Sequence, residues 1–314
     1  MGVRVSSEWL NSCSGCEISI IDTGERLLDI LAVADIVHLP ALVDSKYYGQ
    51  RGDQQHLSLP EADVGIISGG IRNEEHLEVA LEMRKKCGLI IALGTCATHG
   101  GIPSLANTYA VDEIMERVYS TETTDRPDAY PSDGIPPLLD ACYALDEKIK
   151  VDIHLPGCPP HPDHIFSALV ALVQGKPLAV PTKSVCDTCP TVRQGKGDLK
   201  KVRRFLTAPQ YGAPGEPLEN MRCLLEQGFL CMGPVTRAGC GGDAVTPRCI
   251  SARVPCRGCY GPVRHEGNQL LDMLNALASN GIDMKSIPNN PLLLRFSGAH
   301  GLLKSPVSRE RRSS

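Results

Sequence analysis

Twelve of the fourteen cysteines in this 314-residue chain fall into three groups of four, and four thiolates are the usual complement of one iron-sulfur cluster. The first group is Cys13 and Cys16 in Asn-Ser-Cys-Ser-Gly-Cys, Cys96 in Gly-Thr-Cys-Ala, and Cys158 in Pro-Gly-Cys-Pro-Pro. Cys186, Cys189, Cys223 and Cys231 make the second, and Cys240, Cys249, Cys256 and Cys259 the third. Cys87 and Cys142 are left over. The chemistry this pattern offers is one-electron transfer. Zinc is the inorganic competitor, because Cys186-Asp-Thr-Cys189 and Cys256-Arg-Gly-Cys259 are each half of a zinc-ribbon pattern. A zinc-stabilised scaffold without catalysis is therefore the reading from a different functional class. In a reducing cytosol, clustered cysteines are metal ligands or redox groups more readily than disulfides.

To bring the first group together, the chain needs elements that end side by side. From the start to about residue 178, short apolar runs alternate with amphipathic stretches, as in open parallel sheets. Strands are predicted at Val3 to Ser7, Asp35 to Leu39, Val64 to Ser68, Leu89 to Leu93 and Val151 to Leu155. Helices are predicted at Ile18 to Ala32, Asn73 to Lys86 and Asp163 to Gln174. The fold class that follows is α/β, a doubly wound parallel sheet. Cys13 and Cys16 then follow the first strand, Cys96 the fourth and Cys158 the fifth, at the sheet edge where ligands bind in open α/β folds. This placement favours a cluster over zinc for the first group, since its ligands stand on three loops rather than two knuckles.

Residues 119 to 137, rich in proline, acids and threonine, read as a surface insertion. After Pro177 to Lys183 periodicity nearly vanishes, and glycine, proline, cysteine and basic residues dominate to Asn268. Such a segment folds on its clusters rather than on apolar burial alone. The organisation expected is 1–178 as one domain and 179–314 as a small, mostly irregular second one. A late helix is predicted at Asn268 to Ala278, and Arg-Glu-Arg-Arg-Ser-Ser at the end reads as a frayed tail.

Hydrophobic residues make up 42% of the chain, enough for a real core, while aromatics make up 4%, with Trp9 the single tryptophan. That composition argues against stacking platforms for single-stranded nucleic acid. The net charge of -4 gives no electrostatic reason to expect DNA or anionic lipid as a partner. Neither a secretory start nor an apolar run of membrane-spanning length is present, so the expected location is cytoplasmic.

Taken in order, Trp9-Leu10-x-x-Cys13-x-x-Cys16, Gly94-Thr-Cys96-Ala and Pro156-Gly-Cys158-Pro-Pro resemble the proximal-cluster motifs of nickel-iron hydrogenase small subunits. Cys231-Met-Gly-Pro-Val-Thr-Arg-Ala-Gly-Cys240 and Pro255-Cys256-Arg-Gly-Cys259 are similar to that family's medial and distal region, so the resemblance runs from residue 3 to about 262. It implies a flavodoxin-like first domain and a second domain with two further clusters in a line toward the surface. Hydrogen would be split at a nickel-iron centre in a separate large subunit. By motif, Cys13, Cys16, Cys96 and Cys158 would hold the proximal cluster. Cys186, Cys189, Cys223 and Cys231 would hold the distal one, and Cys240, Cys249, Cys256 and Cys259 the medial one.

In many periplasmic members proline stands where Cys249 is, leaving a three-iron medial cluster, and histidine stands where Cys186 is. Both differences imply three all-cysteine 4Fe-4S clusters. With the missing export signal, they make the chain resemble cytosolic small subunits of methyl-viologen-reducing hydrogenases linked to heterodisulfide reductase. The implied partners are the large subunit and an electron-accepting iron-sulfur or flavin subunit of heterodisulfide-reductase-like kind. Ser68, before Gly69-Gly70, departs from the glutamate expected in many members. A quinone-reductase-like subunit of respiratory complexes shares the first domain type, but it would need adjacent cysteines in its first motif and no eight-cysteine extension.

Other reactive residues have plainer readings. Cys87, at the end of a predicted helix, and Cys142, near another, read as small buried hydrophobes. His99, His154, His161 and His164 read as packing or solvated side chains, with a hydrogen bond to a cluster sulfur or a large-subunit contact as the alternative for His161 and His164. Glu17 fits the positive end of its helix. Lys200, Lys201, Arg203 and Arg204 read as a solvated helix face, and docking of an acidic electron acceptor is the minority reading.

Overall fold

The computed structural model describes residues 2–40, 42, 46–49, 51–123, 125, 130–178, 180–195, 200–203, 207–213, 215–287 and 290–304. Five strands, β1 (Val3–Trp9), β2 (Ala34–His38), β3 (Ala62–Ser68), β5 (Cys87–Leu93) and β7 (Ile153–Leu155), form one sheet in the order β2-β1-β3-β5-β7. Every pairing in it is parallel. Counting these strands alone, the order is 2-1-3-4-5, the flavodoxin-like arrangement with crossovers on both faces. The two faces can be read from side-chain alternation, because successive residues of a strand point to opposite sides. Ile67, Ile90 and Ala92 pack with Val79, Ala80 and Met83 of α3 (Glu74–Lys86) on one face. Val64, Ile66, Ile91 and Leu93 pack on the other, with Ile20 of α1 (Gly15–Ile21), Ile30 of α2 (Arg26–Leu31) and Ile165, Ala168 and Leu169 of α6 (Pro162–Val173).

Helix boundaries follow local chemistry. Asn73 caps α3 by accepting from the His76 N–H at 2.8 Å, with Glu74 and Glu75 in the first turn and Arg84, Lys85 and Lys86 in the last. Pro162 opens α6, whose His161 cap accepts from Asp163 N at 3.2 Å. The helix expected over Ile18 to Ala32 is two helices. It begins earlier, at Gly15, and breaks after Ile21, where Gly24 takes a left-handed φ of 64° and the Thr23 hydroxyl donates to the Ile20 carbonyl.

A second, two-stranded sheet pairs β4 (Ile71–Asn73) antiparallel with β6 (Leu138–Tyr143). This places Cys142 on a strand, not near a helix, and Cys87 begins β5 rather than ending α3. Asn107 fixes Cys142 by accepting from its N–H at 2.7 Å and donating to its carbonyl at 2.9 Å. Between them lie α4 (Gly94–His99) and α5 (Val111–Tyr119).

Beyond residue 180 regular structure is sparse among the described residues: 3-10 turns, the short α7 (Arg248–Ser251) and α8 (Gln269–Ser279). The Asn268 cap accepts from Leu270 N and Leu271 N, which starts α8 where the sequence places it. Around α8, Met273 and Leu277 pack with Val185, Leu225, Met232, Val235 and Cys256. Of the basic run, Arg203 lies in an extended bridge to Phe229 with its guanidinium over that ring, not on a helix. Arg204, the 309–314 tail and part of the 119–137 stretch lie outside the described residues. No described helix is long and apolar enough to cross a membrane.

Candidate electron-transfer centres

Three loops at the carboxyl edge of the sheet carry the first cysteine group. Cys16 sits in the first turn of α1 after β1, Cys96 in α4 after β5, and Cys158 in the Gly157-Cys158-Pro159 loop after β7. Thr95 ties these loops together. Its N–H donates to the Gly157 carbonyl at 2.8 Å, its hydroxyl accepts from Gly157 N at 2.9 Å, and that hydroxyl donates to the Cys259 carbonyl at 2.6 Å. Glycine is required beside two of the thiols. A Cβ on Gly94, whose φ is 85°, would stand 2.3 Å from Cys16 Sγ, and one on Gly101, with φ 52°, 2.6 Å from Cys96 Sγ.

Burial raises the Cys16 thiol far above its ordinary range, and repulsion from Glu17, Cys96, Cys158 and Cys13 raises it further. The Cys96 thiol is pushed up to about 12, chiefly by burial and then by Cys158 and Cys13. The four side chains therefore face one another closely enough to interact. Such a group cannot hold several thiolates without added positive charge, and a bound metal centre supplies that charge.

The second group lines one small cavity with Val185, Leu225, Pro234 and Ile250. Burial pushes the Cys186 thiol up to about 12, with Cys189 and Cys223 adding repulsion, and the Cys231 thiol likewise reaches about 12. In the third group, Cys240 interacts with Cys249, and Cys256 with Cys259 and Cys249. Cys259 is pushed up to about 12 by burial and then by Cys240, Cys249 and Cys158.

The third group lies between the other two. From the loops of the first group the Thr95 hydroxyl reaches the Cys259 carbonyl, the Cys256 N–H donates to Cys231 Sγ at 3.3 Å, and Met232 N donates to the Cys256 carbonyl at 3.0 Å. The second and third groups thus meet through a hydrogen bond to sulfur, and the first and third through Thr95. Cys87 and Cys142 are buried at 4% and 1% exposure and join no group of four, although Cys142 is near enough to Cys96 to raise its pKa.

His161 and His164 fill the seam between the first and third groups. The His161 N–H donates to the Tyr260 hydroxyl at 2.7 Å, and the His164 ring meets Tyr260 edge-on. Glu17 is buried, which a helix dipole does not require. The Ser68 hydroxyl donates to its Oε1, while its Oε2 has no partner. Thr95, Tyr260 and the Ser68–Glu17 pair escape sequence reasoning, because their roles depend on contacts between distant segments.

Residues 13–172 match the family described as NADH ubiquinone oxidoreductase, 20 Kd subunit. Over 299 residues the chain is 40% identical to a vhu subunit of the F420-non-reducing hydrogenase of Methanocaldococcus jannaschii, covering 95% of each chain. With an F420-non-reducing hydrogenase subunit of Methanothermobacter marburgensis it shares 38% identity over 283 residues, 88% of this chain and 84% of the relative. Among solved structures, one chain of an NAD+-reducing nickel-iron hydrogenase in its H2-reduced state superposes with a TM-score of 0.52 at 30% identity, covering 58% of this chain and 96% of that one.

Proposed function

The chain belongs to the nickel-iron hydrogenase small subunits, within the family of the 20 Kd subunit of NADH ubiquinone oxidoreductase, and from that membership we propose that it carries electrons through three 4Fe-4S clusters. It is a subunit of an oxidoreductase that acts on dihydrogen, and it pairs with a large subunit. The observation that carries the finer reading is the succession of three four-thiol groups, joined through Thr95 to Cys259 and through Cys256 to Cys231.

The fit of clusters to these groups rests on the donor sets and on the room kept for them. All four donors in each group are thiols, glycines stand where a Cβ would strike Cys16 and Cys96, and one cavity is walled by Cys186, Cys189, Cys223 and Cys231. Cys13, Cys16, Cys96 and Cys158 would hold the proximal cluster, Cys240, Cys249, Cys256 and Cys259 the medial one, and Cys186, Cys189, Cys223 and Cys231 the distal one. Each cluster, when bound, supplies a one-electron redox change without a change in its ligands. The protein's own contribution is position and dielectric. Thr95 holds the first and third groups in register, and burial keeps water from Cys16, Cys231 and Cys256.

A division at 178/179 is supported by the clustering of the core, in which two apolar clusters use only residues 3–178 and two only residues 185–293. The large subunit would dock over Cys13, which is exposed beside Trp9, Ile18 and Ile21, three apolar side chains at 40%, 55% and 46% exposure. On the distal side the acceptor would be an iron-sulfur or flavin subunit of heterodisulfide-reductase-like kind, in the cytoplasm. Iron, sulfide and zinc analysis of the anaerobically purified chain tests the reading. About twelve irons per chain and a brown visible spectrum are expected from three 4Fe-4S clusters. A colourless protein holding zinc in its cysteine groups would refute it.

A further inference from the structure

Four histidines and one aspartate from five separate segments converge outside the cysteine groups. Asp146 stands in the turn Leu145–Glu147, His154 on β7, His265 in the loop after Cys259, His300 in a turn near the end of the described chain, and His99 at the end of α4. Asp146 Oδ2 is 2.7 Å from His265 Nε2 and 3.3 Å from His154 Nε2, while Oδ1 is 2.8 Å from His300 Nε2. The His154 and His265 rings lie 4.1 Å apart, and His99 lies 4.9 Å from His265. One donor atom each from Asp146, His154 and His265 can be chosen so that all lie within 4.8 Å of one another.

Hydrogen bonding within the protein leaves this cluster incomplete. Seven buried side-chain polar atoms among the described residues have no hydrogen-bond partner, and three of them are here: His99 Nε2, His154 Nε2 and His265 Nδ1. The protonation of His99 follows from its neighbour. The Thr98 hydroxyl donates to the Gly94 carbonyl at 3.1 Å, so at 2.7 Å His99 Nδ1–H donates to that hydroxyl and Nε2 is left with a bare lone pair. Buried orphans cost roughly 1–3 kcal/mol each. Of these, His154 Nε2 lies 3.3 Å from Asp146 Oδ2 without a hydrogen bond, free to ligate a cation beside that oxygen and His265 Nε2.

We infer that Asp146, His154 and His265 form a binding site for one divalent transition metal ion, zinc by its ligand chemistry. Imidazole and carboxylate suit zinc, three protein ligands leave a fourth position open, and bonds of about 2.0–2.1 Å set tetrahedral donors about 3.3 Å apart. The Asp146–His154 separation already has that value, and the Asp146–His265 pair opens by about 0.6 Å to admit the ion. His300 holds the other carboxylate oxygen and orients it, as outer partners of metal ligands do. Cavities beside the site are lined by His99 and His265, one also by His154, Leu89, Leu172 and Lys176 and the other by Asp146 and His300. No catalysis is assigned to the ion. It clamps the turn at 146 and strand β7 to the segments at 265 and 300, and so fastens the second half of the chain onto the first. This site shares no ligand with the cysteine groups and does not depend on their assignment.

The test uses the full chain with its clusters in place, purified anaerobically, stripped of labile metal by mild chelation and titrated with ZnCl2. One zinc is expected per chain, with an X-ray absorption edge showing a nitrogen and oxygen shell and no sulfur. His154→Ala and His265→Ala should drop retained zinc below a tenth of an equivalent, and His300→Ala should weaken binding about 10–100-fold, all without loss of iron. Should His265→Ala fail to fold, Asp146→Asn keeps the side-chain volume and must also lose the zinc. A sulfur shell, no retained zinc in the parent protein, or undiminished zinc in both ligand variants would overturn the inference.

Discussion

Gly94→Ala is the substitution from which the geometry draws the largest consequence for the smallest chemical change. At φ 85° alanine costs about 1–2 kcal/mol by its backbone conformation alone. The added methyl would lie 2.3 Å from Cys16 Sγ, whereas nonbonded heavy atoms rest at about 3.5–4.0 Å. The sulfur must therefore retreat by more than about 1 Å, at a further cost of about 1–3 kcal/mol for overpacking. Metal–ligand bond lengths hold to within about 0.2 Å, and a Cys16 sulfur that cannot return to that range is lost as a ligand, so the variant should lose the proximal cluster, about four of about twelve irons, along with about 2–5 kcal/mol of stability. Gly15→Ala is the matched control. Its Cβ would sit 3.5 Å from Cys13 Sγ, an ordinary contact on a helix, and iron content should not change. The assay is iron and sulfide per chain with the visible spectrum, taken anaerobically. Full iron in Gly94→Ala, or equal loss in Gly15→Ala, would refute the reasoning that Cys16 is a fixed ligand.

Cys249→Pro should leave the medial group with three thiolates. Residue 249 lies in the first turn of α7 after Pro247, where proline removes no ladder hydrogen bond, so the chain should fold and show a new three-iron paramagnetic resonance signal; an unchanged spectrum with full iron would mean that Cys249 is no ligand. Cys87→Ser and Cys142→Ser should keep all their iron and lose about 1–3 kcal/mol, since each puts a hydroxyl where a buried thiol packs; a loss of about four irons in either would show the grouping to be wrong. Asp163 accepts from Asp243 N at 2.9 Å and from Arg26 at 2.6 Å, and in that order these bonds hold its carboxyl below the usual range. A depressed folded-state pKa contributes stability that is present above the unfolded value near 4 and lost as pH falls through the folded one. Asp163→Asn should therefore melt earlier at pH 7, by about 1–2 kcal/mol, with the gap beginning to narrow only below about pH 4; a gap that narrows between pH 7 and pH 5, or that does not narrow at all in acid, would contradict this.

The sheet was legible because its signal is local. Runs such as Leu89–Leu93 follow an amphipathic helix with a clear Asn73 cap and end at Gly94, and the strand-end positions of Cys13, Cys96 and Cys158 follow from such runs. Residues lost to the reading were those whose structure depends on remote partners. Strand β6 is short, follows Pro136-Pro137 and pairs only with three-residue β4, so no period announces it. The helix over Ile18 to Ala32 reads as continuous because its apolar spacing persists through the Gly24 break. Arg203 is extended because Phe229 pairs with it, which composition does not reveal. Likewise His265, His300 and Asp146 carry no spacing signature, and only the folded chain makes them neighbours of His154.

The return of residues 297–303 to α4 has a consequence in time. The Ala299 N–H donates to the His99 carbonyl at 3.1 Å, and a Cβ on Gly100 would lie 2.7 Å from that of Ala299, so this segment seals one flank of the helix that bears Cys96. Ala299 leaves the ribosome 141 residues after Cys158, an interval of roughly 7–28 s at ordinary rates of synthesis. Throughout it the parallel sheet and its three cysteine loops can form while that flank stands open. Delivery of iron and sulfide to the first group has its widest access in this interval, and the arrival of the late segment ends it.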